Sequence, residues 1–139
     1  LKSQTQSSTN TSFMNYTNVS HCGNDHSVWI KNIEFYEDDL DSLENRLLEI
    51  AEKNNGYDVM AGVEHFQNQF IVQRKNIHDL RHLIDRHSGK VASDAKSHAG
   101  RMETVLLDEH EGIKSEVESF EKVINELRHE FNKFLSRWM

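Results

Sequence analysis

Proline is absent from this chain, where an average usage of about 5% would place roughly seven. Proline removes an intrahelical donor and clashes with the preceding turn, so its absence permits long uninterrupted helices. Cysteine occurs once, as Cys22, which excludes an intramolecular disulfide framework and fits a reducing compartment. No run approaches the roughly 18 apolar residues of a spanning helix. The N-terminal stretch shows no apolar h-region of a secretory signal, and a cytoplasmic location is expected. Cationic excess is missing as well. The net charge is −7, no basic face of any size is visible, and nucleic acid and anionic membrane are therefore not expected partners. The short signatures of catalysis are also lacking: there is no nucleophile elbow, phosphate loop or paired-cysteine metal motif. Together these absences predict a non-enzymatic protein with no catalytic residue, no cofactor and no small-molecule substrate.

What is present is helical patterning. At 139 residues the expectation is one domain, large enough to bury a core without disulfides or metals. Residues 1–24 stand apart. They are rich in Ser, Thr and Asn and have no hydrophobic period, so they are expected to form a flexible polar tail. The N-x-S/T triplets at Asn10, Asn15 and Asn18 are what such a composition yields by chance. Leu1 in place of Met leaves room for an upstream segment, and Met14 for a start within the tail.

From Asp25 onward three seams of apolar residues recur at alternating steps of four and three, the heptad signature of helices packed on helices. The first is Trp29, Ile33, Tyr36, Leu40, Leu43, Leu47 and Ile50. The acidic run Glu37, Asp38, Asp39 and Asp41 falls off the seam and reads as a solvated face. The second is Val63, Phe66, Phe70, Gln73, Ile77, Leu80 and Ile84. The third, most regular, is Ile113, Val117, Phe120, Ile124, Leu127, Phe131, Phe134 and Trp138. Asn54-Asn55-Gly56 closes the first helix with a left-handed glycine cap, and Ser88-Gly89 closes the second. The spacing thus predicts helices over about 25–54, 58–87 and 95–139, with a shift of phase near Glu109–Gly112. Short connections make this an all-α, antiparallel, up-down-up three-helix bundle of coiled-coil type with a long C-terminal helix.

Two expectations follow from that register. Gln73 meets His110 in a buried polar layer beside Leu40, of the kind that fixes register. The third helix, about 65 Å long at 1.5 Å per residue, outreaches its neighbours. Leu127, Phe131, Phe134, Leu135 and Trp138 would then form an uncovered apolar tip, and such patches mark interaction sites. The expected function is protein–protein contact through that tip, as a homodimer or with another helical protein.

Histidine supplies the competing reading, because the chain carries nine. Were all to titrate near 6.5, the net charge would approach zero or turn positive in mild acid. Asp79-x-x-His82 and Glu126-x-x-His129 share the carboxylate-x-x-His spacing of di-iron bundles, but both pairs fall off the seams. His78, His82 and Asp85 form an outer stripe in which two imidazoles four residues apart can share a metal. This is the metal-binding or pH-responsive alternative. His110 is the histidine expected to face inward.

The stretches from Val63 to Arg74 and from Glu118 to Met139 resemble small bacterial helical proteins without assigned function, over about residues 28–139. The resemblance implies a bacterial cytosolic origin and no activity, and it carries no catalytic residue onto this chain.

Overall fold

The computed structural model describes the backbone of residues 2–97 and 103–139, and the side chains of residues 19–97 and 103–139. The chain forms three helices: α1 Lys2–Lys53, α2 Tyr57–Ser97 and α3 Thr104–Trp138. They pack as the expected all-α three-helix bundle, with no strand among the described residues. None of the helices is long and apolar enough to cross a membrane among those residues.

The heptad seams build the core. On α2 the buried residues run Val59, Val63, Phe66, Phe70, Gln73, Ile77, Leu80, Ile84, His87 and Val91. On α3 they run Leu106, His110, Ile113, Val117, Phe120, Ile124, Leu127 and Phe131. Every step is four or three, which keeps one face on the bundle axis for the whole length. The expected phase shift near Glu109–Gly112 is therefore absent. Gly112 lies on the exposed face, outside the seam.

Element boundaries differ from expectation in a consistent direction. Helix α2 does not stop at Ser88-Gly89. A mid-helix glycine costs only about 1 kcal/mol relative to alanine, and buried His87 and Val91 anchor the next two turns. Helix α3 accordingly starts at Thr104, not near 95. It is the shortest of the three, at 35 residues against 52 and 41. Helix α1 begins well before Asp25. Residues 19–24 are helix rather than tail, and Cys22 is buried. The expected flexibility of residues 1–18 and the triplets at Asn10, Asn15 and Asn18 concern side chains outside the described set. The first connection also differs: Gly56 does not take a left-handed conformation. The N–H of Asn54 donates to Ile50 O at 3.1 Å, and the carbonyl of Gly56 accepts from Met60 N–H at 3.1 Å. Gly56 thus opens α2 instead of capping α1.

Moving the second turn changes what lies beside what. Phe131 packs on Phe66 and Phe70 with ring centroids 5.2 Å away in both cases, and Phe134 lies 5.0 Å from Phe66. The Asn54 side chain reaches Trp138 O at 3.4 Å. The end of α3 is therefore level with the α1–α2 connection, and the uncovered tip does not exist. Leu127 and Phe131 are buried, and Phe134, Leu135 and Trp138 are partly buried against the same core. Gln73 and His110 do not meet. Gln73 is buried and accepts from Asn76 Nδ2 at 3.4 Å. It sits beneath a groove between α2 and α3 with Leu80, Phe120 and Val123, whereas His110 is several turns away.

The acidic stretch of α1 is largely solvated, as expected, with Asp38 and Asp41 exposed, but it also carries ion pairs to the other two helices. Arg74 holds Glu44 at 2.9 Å as well as Asp41, Arg81 holds Glu37 at 3.2 Å, and Arg128 of α3 holds Asp39 at 2.6 Å. Half-exposed pairs of this kind contribute at most about 1 kcal/mol each.

Candidate metal centre

Each seam carries a histidine at one level of the bundle. His26 lies three residues before Trp29, His87 three after Ile84, and His110 three before Ile113. Because each sits in the frame of its own seam, all three rings point at the axis. They are 7%, 2% and 4% exposed respectively. Their centroids form a near-equilateral triangle with sides of 5.1, 5.3 and 5.5 Å. One ligating nitrogen from each lies within 4.8 Å of those of the other two.

The hydrogen bonds fix the tautomers. His87 Nε2 is 2.8 Å from the carbonyl of Leu106. A carbonyl only accepts, so Nε2 carries the proton and Nδ1 is a lone pair. His26 Nε2 lies 3.0 Å from that Nδ1 and must donate to it. His110 Nε2 donates to Asp25 Oδ2 at 2.8 Å. That leaves His110 Nδ1 buried with no hydrogen-bond partner. A buried polar atom without a partner costs about 1–3 kcal/mol, and native structures rarely leave one without a use.

Trp29 covers one side of the triangle, its ring 5.6 Å from His26 and 4.8 Å from His110. On the other side lies a small apolar cluster of Cys22, Val91 and Leu106. Burial, with His87 and His110 adding to it against the opposing pull of Asp25, lowers the His26 pKa from 6.5 to about 4. Burial first, then the carboxylates of Asp25 and Glu111, pushes the Cys22 thiol up to about 11.

This is the arrangement that imidazole metal sites use. Two of the rings hold their outer N–H on a carbonyl or carboxylate, which turns the inner nitrogen into an oriented, more basic lone pair. Three nitrogens bound tetrahedrally to one zinc at about 2.0–2.1 Å lie about 3.3 Å apart. His26 and His87 are already nearer than that, and the His110 nitrogen lies within 4.8 Å of both.

Of the residues singled out from sequence, His110 alone belongs to this site. His78 and His82 do pair, with ring centroids 4.5 Å apart, but both are exposed. With Asp85 they do not form a three-ligand group. Among the described residues the group that does is His26, His87 and His110. Asp79, His82, Glu126 and His129 are all exposed. The signal that finds the missed ligands is the seam itself. Counting back from Trp29 by three and then four gives His26 and Cys22, and counting on from Ile84 gives His87 and Val91. Admitting histidine to the seam, on the same footing as Gln73, extends both helices and brings the triad into view. Searches against protein-family models, curated proteins and solved structures find no match to this chain.

Proposed function

We propose that this chain is a metal-binding helical bundle whose three-histidine layer takes one divalent transition-metal ion, with zinc the best fit. The observation that carries the reading is the partnerless, buried Nδ1 of His110, beside His87, whose outer nitrogen is held by the Leu106 carbonyl, and His26, whose Nε2 already meets His87 Nδ1. Imidazole donors suit zinc, copper, iron and nickel, and do not suit magnesium or calcium. The ion takes the place of the proton that His26 now offers to His87. It also gives the orphan nitrogen a partner and ties all three helices at one level. The C-terminal residues expected to form an uncovered tip pack against the core instead, so they lend no support to the competing reading of a docking protein.

Zinc titration of the chelator-treated protein, followed by calorimetry and thermal unfolding, tests this. Equimolar binding is expected. At a hundredfold excess over Kd it stabilises by about 2.7 kcal/mol, a rise in Tm on the order of 8 °C for a chain of this length. His110→Leu, which keeps an apolar seam residue, abolishes the rise, while His78→Ala leaves it intact. Equal responses in the two variants, or no response in the native chain, overturn the assignment.

A further inference from the structure

Resting on that reading, we infer that Cys22 is the fourth ligand, so that the centre is a closed site of three imidazoles and one thiolate. Cys22 stands one helical turn before His26, on the same face of α1, where side chains four apart are neighbours. Val91 stands one turn after His87, and Leu106 one turn before His110. The three pack together as the next layer, directly over the histidine triangle. In that layer the thiol is the one side-chain group able to ligate a metal.

Three nitrogens arriving from three helices leave the fourth tetrahedral direction along the bundle axis. Trp29 closes one sense of that axis. The other sense faces Cys22, which is 2% exposed between Val91 at 6% and Leu106 at 7%. A water molecule there would sit among apolar side chains with few partners, whereas the thiol, whose sulfur is not within 4.8 Å of all three nitrogens in the metal-free chain, turns toward the ion as it binds.

Charge points the same way. A divalent ion among neutral imidazoles is a buried double charge, which is costly unless compensated. The thiolate and the Asp25 carboxylate, hydrogen-bonded to His110, together cancel it. The proton balance is simple. The ion displaces the thiol proton of Cys22, which leaves to solvent, and the His26 proton moves from Nε2 to its other ring nitrogen. One proton is released per ion bound. Burial, and after it the carboxylates of Asp25 and Glu111, favour the protonated thiol in the metal-free chain; a dication beside the sulfur outweighs them.

Cobalt(II) is the probe, because a thiolate bound to it gives a near-ultraviolet charge-transfer band, separate from the visible bands that report tetrahedral geometry. The full native chain is expected to show both. Cys22→Ser loses the near-ultraviolet band, keeps visible absorption, and weakens zinc binding beyond the roughly 10–100-fold that an outer-shell loss costs, the cost expected for Asp25→Asn. Visible bands with no charge-transfer band in the native chain, or one that survives in Cys22→Ser, overturn the fourth-ligand assignment and leave the three-histidine site standing. Absence of any cobalt absorption, together with no zinc-induced rise in Tm, removes the site itself.

Discussion

The protonation of the histidine layer can be checked without metal. His26 faces Asp25 from its own helix, His87 from α2 and His110 from α3, with burial the dominant influence. Its pKa falls from 6.5 to about 4, so between those values the unfolded chain binds a proton that the folded chain refuses. Stability contributed by neutral His26 is therefore complete above pH 6.5 and is lost as pH falls toward 4. A tenfold change in proton affinity is worth about 1.4 kcal/mol, which puts the loss on the order of 2–3 kcal/mol. Urea unfolding of chelator-treated protein at pH 7.5 and pH 4.5 measures it. The expected result is a smaller drop, by that amount, in His26→Gln. Carboxylates elsewhere contribute equally to both proteins, so a drop of the same size in the two would show that His26 is freely protonated in the fold.

At the scale of the element, the seams were legible and the ends were not. The steps of three and four carry the type, number and packing faces of the helices, because burial on one face is what a heptad pattern encodes. They mark Phe120 through Phe131 on α3 and Phe66 through Ile84 on α2 as core. The connections escape the pattern because Ser88-Gly89 has the composition of a stop, although an exposed glycine in a helix is a small local cost that two further buried turns outweigh. One misplaced turn then misaligns α3 against α2 and produces both the false pairing of Gln73 with His110 and the false tip. Glycines inside these helices now separate into two kinds. A methyl at Gly62 would collide with the ring of Phe134, while one at Gly112 or Gly89 would meet nothing. Gly62→Ala is expected to destabilise by about 1–3 kcal/mol, the usual cost of overpacking, as Phe134 is pushed off Phe66. Gly112→Ala is expected to stabilise by up to about 1 kcal/mol. Urea midpoints that move the same way for both would contradict the placement of α3 that seats Phe134 on Gly62.

Over the whole molecule the histidine layer is a boundary. The main core runs from Trp29 and Ile33 through Leu40 and Phe70 to Phe131, an apolar column in which Gln73 is the one buried polar side chain among the described residues. Beyond the three rings, among the described residues, lies the small cluster of Cys22, Val91 and Leu106, with Val19 and Leu107 packed against it. A polar layer with one unpartnered nitrogen does not transmit cohesion as an apolar layer does, and regions with few buried apolar contacts open before the rest. In the metal-free chain the end that holds Cys22 should therefore open as its own unit. Hydrogen exchange should show lower protection over residues 19–29, 84–97 and 106–113 than around Leu47, Phe70 and Ile124. Zinc couples the two parts by bonding all three helices at the boundary, so protection should rise selectively in the end beyond the histidines. The rise should reach segments such as 91–97, which supply no ligand. Uniform protection along all three helices without zinc would mean that the layer packs as an ordinary part of one core. A zinc effect confined to the ligand residues would mean that the ion binds without joining the two halves.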